Sequence, residues 1–170
     1  MEKVIISAIS KNRVLGKDGS LLWELPDDEE HLLSIIENGW LLTGRTSYES
    51  AQGSRIFSDR DDVLVLTTRE DYSIPHGQVV HRLDDAYRIA RRAGADKLYI
   101  LGGANVYQQT LDDADRMVLT VVDESFEGDA FFPHWSSSNW RETKRTDHPR
   151  DDRHAFPFSF IWLERTREFR

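Results

Sequence analysis

The chain has 170 residues, with 22 Lys and Arg against 30 Asp and Glu for a net charge of −8, a 39% hydrophobic share and no cysteine. At roughly 150 residues per domain, this is enough chain for about one domain with a real core. The acidic balance argues against a phosphate-backbone partner, the missing cysteines remove disulfides and thiol chemistry, and no apolar run approaches the roughly 18 residues of a membrane span. A cysteine-free chain fits a reducing compartment, and Met1-Glu2-Lys3 leads into a strand-like run without a signal-peptide pattern, so a cytoplasmic protein is expected.

Val4 to Ile9 is a short apolar run rich in β-branched residues, which predicts a buried strand. From Ser10 to Pro26 runs a connection with Gly16, Asp18-Gly19 and Pro26, too full of breakers for a helix and longer than most loops without a function. Asp27-Asp28-Glu29-Glu30 places negative charge at a helix start behind Pro26, and Leu32, Leu33, Ile35 and Ile36 supply an apolar stripe that Gly39 ends. Trp40 to Thr43 predicts the second strand, followed by a short helical stretch through Glu49. Val63 to Thr67 and Gln78 to Val80 predict the third and fourth. A helix is expected over Leu83 to Ala93, capped by Gly94. Lys97 to Leu101 reads as a strand that passes through Gly102-Gly103 into a helix ending at Leu111. This alternation predicts an α/β fold with a mainly parallel central sheet and helices on both faces. Met117 to Val122, Trp140 to Arg145 and Phe156 to Glu164 have no helix between them and predict an antiparallel C-terminal hairpin added to that sheet. Residues 146 to 154 read as a polar loop, and residues 1–170 as a single domain.

Three strand ends carry groups suited to phosphate. Gly102-Gly103-Ala104-Asn105-Val106-Tyr107 and Gly44-Arg45-Thr46-Ser47 join a strand to a helix, where free N–H groups and close backbone approach favour an anion. Thr67-Thr68-Arg69 adds hydroxyls and a guanidinium. Neither a Gly-x-Gly-x-x-Gly fingerprint nor a P-loop is present. On the first helix, spacing leaves both Asp28 and Glu29 flanking the apolar stripe, and a carboxylate there tends to titrate upward unless paired. The six histidines, His31, His76, His81, His134, His148 and His154, show no metal-ligand spacing, so no metal is assigned.

In order and spacing, these segments resemble dihydrofolate reductase over nearly the whole chain. The resemblance rests on Ile6 through Gly16, Gly19, Leu22-Trp23, Leu25-Pro26-Asp27-Asp28, Gly44 through Ser50, Gly102 through Tyr107, Leu119-Thr120, and Glu127-Gly128-Asp129 before Phe132-Pro133. It implies NADPH-dependent reduction of dihydrofolate to tetrahydrofolate in one-carbon metabolism, with NADPH as cofactor and a small-molecule substrate. Asp28 would then be the pterin-binding carboxylate and Thr120 its brace, with Trp23 completing the catalytic group. Ile6, Ala8 and Leu32 would line the pterin pocket. Ala8, Leu15, Gly44, Arg45, Thr46, Ser47, Thr67, Thr68, Arg69 and Gly102, Gly103, Ala104, Asn105, Val106 and Tyr107 would hold the cofactor. Residues Leu15 to Trp23 would form the loop that closes over the nicotinamide, and Arg45 and Arg69 would meet its 2′-phosphate. A monomer is expected, since no spare apolar stripe is evident.

Four departures bear on this reading. Leu22 stands where the family usually has proline, Glu29 where it has an apolar residue, and Leu32 where it has an aromatic. Over residues 51 to 62 the family's Pro-Leu-Pro-Gly-Arg segment is not recognisable, and Asp61 falls at the position of the arginine that holds the substrate's glutamate tail. Loss of such a contact, worth roughly 1.5–3 kcal/mol, would weaken folate by about ten- to a hundredfold. The alternative readings are a reductase of the same fold acting on another pterin or a pyrimidine, and a non-catalytic nucleotide-binding relative. Asp28 discriminates the last of these, and residues 51 to 62 the substrate.

Overall fold

The computed structural model describes residues 1–166. Ten strands and five α-helices run in the order β1 (Glu2–Ser10), β2 (Val14–Gly16), α1 (Pro26–Ile35), β3 (Trp40–Gly44), α2 (Arg45–Glu49), α3 (Ala51–Phe57), β4 (Val63–Leu66), β5 (Gln78–Val80), α4 (Leu83–Arg92), β6 (Lys97–Ile100), α5 (Ala104–Thr110), β7 (Arg116–Val122), β8 (Ala130–Phe131), β9 (Trp140–His148) and β10 (Phe158–Arg165). Eight strands form one sheet in the order β5-β4-β3-β6-β1-β7-β10-β9. The pairings from β5 through β7 are parallel, whereas β10 runs antiparallel to β7 and β9 antiparallel to β10. The expected parallel sheet with an antiparallel C-terminal addition is therefore present. Among the described residues no helix is long and apolar enough to cross a membrane.

Period-two alternation in β1 divides the core into two layers. Ile5 and Ile9 face one side, with Leu42, Leu64, Leu98, Met117 and residues of α4 and α5. Val4 and Ile6 face the other, with Leu41, Val63, Val65, Tyr99, Val118 and residues of α1 and α3. The crossovers thus cover both faces, and β1, β3, β4 and β6 all end at the same rim, where open parallel sheets bind ligands.

The structure differs from expectation in places. Helix α1 stops at Ile35 and tightens into a 3-10 turn over Ile36–Asn38. Leu33 points to solvent, 47% exposed, while Leu32 and Ile35 pack inward, so the apolar stripe is narrower than its spacing implied. Residues 51 to 57 form α3, which begins where the Ser50 side chain accepts a hydrogen bond from Gly53 N–H at 3.0 Å. That hydroxyl cap satisfies one of the orphan donors of a helix start. The long connection after β1 is not structureless, because β2 pairs with β8 in a separate two-stranded ribbon. A side chain at Gly128 would collide with Val14 and the Gly16 carbonyl, so the Glu127-Gly128-Asp129 turn can close on β2 only as glycine. Strand β9 continues to His148, three residues beyond its expected end. It is the sheet's outer edge, and Arg141 through Asp147 are exposed along it.

Candidate active site

Asp28 sits in the first turn of α1 behind Pro26, its own N–H donating to the Leu25 carbonyl at 3.0 Å. Proline suits this helix start because its missing N–H is one that the helix leaves unpaired there. The geometry faces Asp28 toward β7, where the Thr120 hydroxyl donates to its Oδ1 at 2.5 Å. Thr120 is itself fixed in register, opposite Ala8 of β1 and Phe160 of β10. Burial is the largest effect on the carboxyl and pushes its pKa from 3.8 up to about 6; the Thr120 hydrogen bond pulls it down, and the Glu29 charge adds to the rise. An acid with a pKa near 6 changes protonation state close to neutrality, which is what proton-coupled chemistry requires.

The structure also separates Asp28 from Glu29. Glu29 points away to Arg55 of α3, Oε1 to Nε 3.0 Å, in a largely solvent-exposed pair. The added charge at position 29 is thus partnered by the segment that departs most from the family pattern. Arg60 is committed elsewhere: it forks onto Asp62 with two 2.8 Å bonds and donates to the Ile36 and Gly39 carbonyls at 3.1 Å each. Arg60 therefore ties the end of the α1 segment to the start of β4, and Arg55 is the guanidinium of this stretch that faces solvent.

Ile6 and Ala8 project from β1 toward Leu32 and Thr120, giving the cleft an apolar floor. Trp23 is buried with Leu25, Val122 and Phe158, and its ring centroid lies 5.4 Å from that of Phe126. With Leu22 in place of proline, aromatic packing anchors the end of the loop instead of a fixed φ. Leu15 packs against the main core, and the loop's other end is tied by Asn12, whose amide donates to the Phe126 carbonyl at 2.8 Å.

At the strand ends, the Gly102 carbonyl accepts from Gly44 N–H at 2.8 Å and from the Thr43 hydroxyl at 3.2 Å, which locks the two glycine junctions side by side. The Gly102–Gly103 peptide is cis. A Cβ on Gly103 would meet nothing within 4 Å, so this backbone borders open space, whereas one on Gly44 would press on Val106 at 3.2 Å. Val106 and Tyr107 lie buried beneath the junction, with the Tyr107 hydroxyl donating to the Ile6 carbonyl at 2.6 Å. Burial holds the Tyr107 phenol well above its ordinary pKa, so it stays a donor. These two residues shape the cradle from below, while Ala104 and Asn105 open its helix. Arg45 pairs with Glu49 at 2.9 Å one helical turn on, and Thr46 is exposed beside Ser47. Thr67 is spent on its own turn, accepting from Arg69 N–H at 3.2 Å, which leaves Thr68 and Arg69 facing solvent.

The sequence reading did not single out the aromatic stripe of β10. Phe158, Phe160 and Trp162 alternate onto one face, and His31 of α1 stacks on Phe160 with centroids 3.9 Å apart. Burial, with the nearby Lys144, lowers the pKa of His31 and keeps the ring neutral. The period-two spacing of the three aromatics was the available signal.

A family profile described as Dihydrofolate reductase matches residues 3–165. Dihydrofolate reductase HdrB of Haloferax volcanii is 38% identical over 95% of this chain and 82% of its own length. Dihydrofolate reductase type 3 of Salmonella typhimurium is 31% identical over 96% and 98%, respectively. A solved structure, dihydrofolate reductase from Enterococcus faecalis complexed with NADP(H) and RAB-propyl, superposes with a TM-score of 0.86 at 28% identity, over 98% of this chain and 97% of the other.

Proposed function

The chain belongs to the dihydrofolate reductase family and reduces dihydrofolate with NADPH, and on that premise we propose that Asp28 is the group that binds and polarises the pterin. The observation that carries this assignment is the desolvated carboxyl of Asp28, held by Thr120 beside the rim where β1, β3, β4 and β6 end. Bound there, NADPH supplies the hydride. Ionised Asp28 accepts paired N–H donors along one edge of the pterin, which fixes the ring's orientation and raises the proton affinity of its ring nitrogen. Thr120 positions that carboxylate. Ile6, Ala8 and Leu32 exclude water from the ring's faces, and Trp23 closes the wall from the loop side.

The Gly44 and Gly102-Gly103 junctions suit the cofactor's phosphates, since both are strand-to-helix steps and the backbone at Gly103 borders open space. Thr46, Ser47, Thr68 and the guanidiniums of Arg45 and Arg69 surround them, and the two arginines are the assigned partners of the 2′-phosphate. We place the protein in the cytoplasm as a monomer, a reading supported by its cysteine-free composition and the charged outer strand of its sheet.

The test is NADPH oxidation by purified protein with dihydrofolate, with a tail-less dihydropterin, and without substrate, for the natural chain and Asp28→Asn. Rapid turnover of dihydrofolate that collapses in the variant while NADPH still binds is the expected outcome. Unchanged turnover in Asp28→Asn would defeat the assignment. Equal rates with the tail-less compound would mean that the 51–62 segment contributes nothing to substrate choice.

A further inference from the structure

Behind the catalytic carboxylate, on the outward side of the same helix end, three side chains from distant parts of the chain converge. Asp27 of α1, His148 at the end of β9 and His154 of the turn that follows each place one ligand-type atom within 4.8 Å of the other two. Asp27 Oδ2 is 3.2 Å from His148 Nε2, and Asp27 Oδ1 is 3.8 Å from His154 Nε2. From these residues we propose that the protein carries a binding site for a divalent transition metal of the zinc or cobalt type, distinct from the reductase centre.

Three observations support the site. Each imidazole has its Nδ1 committed to an oxygen acceptor: His148 to the Pro149 carbonyl at 2.7 Å, and His154 to Asp151 Oδ1 at 2.8 Å. A backbone carbonyl can only accept, so Nδ1 of His148 carries the proton, and the Asp27 N–H that approaches His154 Nε2 at 3.3 Å marks that nitrogen as the unprotonated one. These are the outer contacts that orient metal-bound histidines, a carbonyl on one and a carboxylate on the other, and they turn both Nε2 atoms toward the same aspartate. Second, the rings are already held in place. The side chain of His154 is fully buried, and His148 stacks on Phe158 with centroids 4.5 Å apart, so little ordering remains for a ligand to impose. Third, the spacing is near that of a metal site: with one atom from each residue the three lie within 4.8 Å of one another, against a tetrahedral edge of about 3.4 Å for zinc bonds of 2.0–2.2 Å, so the cluster has to contract on binding.

Two imidazoles and a carboxylate suit borderline cations, not calcium or magnesium, which prefer all-oxygen sets. Asp151 Oδ2, 3.6 Å from His148 Nε2, is placed to become the fourth ligand. The resident competitors are Arg153, whose Nη1 holds Asp27 Oδ1 at 3.0 Å from a largely exposed position, and the Asp27 N–H, which takes up the His154 Nε2 lone pair at 3.3 Å. A metal displaces both and joins α1 to the end of β9, one residue from Asp28.

The experiment uses the full, untagged chain stripped with a chelator and titrated with Zn²⁺, and separately with Co²⁺, whose visible absorption reports tetrahedral nitrogen and oxygen ligation. One equivalent should bind, and a hundredfold excess over Kd should raise Tm by about 5–10 °C. His148→Ala, which alters a part-exposed ring, should abolish the Co²⁺ spectrum and the zinc-induced shift. Asp151→Asn should weaken binding by about 10–100-fold, and Arg153→Ala should strengthen it. Failure of the natural protein to bind either ion, or equal binding by His148→Ala, would overturn the site and leave the cluster as an ion-paired clasp. Neither result depends on turnover, so the reductase assignment is tested separately.

Discussion

Asp27 and Asp28 are consecutive residues in the first turn of α1, yet they belong to two regions of opposite character. Asp28 faces inward, where one hydroxyl and apolar walls have replaced water and the carboxyl is pushed up toward neutrality. Asp27 faces outward into a cluster of a guanidinium and imidazoles, with Arg153 at 3.0 Å and His148 at 3.2 Å. About 100° of helical rotation separates a site that destabilises negative charge from one that collects positive partners. Which acid does chemistry is therefore decided by what the tertiary fold brings to each side.

Removing the inner carboxylate should have the largest effect. Asp28→Asn should reduce hydride transfer by about 10²–10⁴-fold at neutral pH, the range expected for a lost acid–base group, while leaving NADPH affinity nearly unchanged. The gap should narrow in acid, where solution protonates the substrate directly. Pre-steady-state rates across pH would check this, and a constant ratio would blur the distinction between the two regions.

The same substitution should stabilise the ligand-free fold. A carboxyl whose folded pKa lies above its ordinary 3.8 contributes most to stability while protonated; that contribution is complete below 3.8 and is lost as pH rises through about 6. The rise corresponds to as much as about 3 kcal/mol at pH 7, which the neutral amide avoids. Chemical denaturation should show Asp28→Asn more stable at pH 7, with the advantage disappearing near pH 3.5.

A smaller change sharpens the contrast from the partner's side. Thr120→Val removes the one contact that pulls the carboxyl down, so the pH midpoint of turnover should move upward by on the order of one unit, given roughly 1.5–3 kcal/mol for a hydrogen bond to a charged group. Least affected should be the outer region. Asp27→Asn should leave turnover within about threefold and cost about 1 kcal/mol of stability at most, as for other part-exposed ion pairs. A large activity loss there would mean that the two sides of the helix end are coupled.

Much of this was legible in the sequence because it is local. Breakers, caps and alternating apolar runs located the parallel strands, and the glycine junctions announced themselves by residue type. The choice between Asp28 and Glu29 did not follow from spacing, since both flank the same stripe; it depends on Thr120, 92 residues away, and on Arg55 of α3. Helix α3 itself went unread because its signal is a single serine cap before a glycine-containing segment. The histidine cluster is invisible to any spacing rule, as Asp27 and His154 meet only through the docking of the C-terminal strands against α1. Leu33 illustrates the reverse failure: it fits the helical stripe, but the helix is rotated so that Leu32, Ile35 and Ile36 reach the core while Leu33 does not.

The charged outer strand described with the fold governs how crowded molecules of this protein meet. A sheet edge offers unpaired amides and carbonyls to any passing strand, and β9 surrounds them with Arg141, Glu142, Lys144, Arg145 and Asp147, all exposed. At the opposite edge, β5 is three residues long, too short to template much pairing. A partly folded neighbour would have to bury that row of charges to add a strand, so concentrated solutions and freshly synthesised chains are steered away from fibrous association at both ends of the sheet.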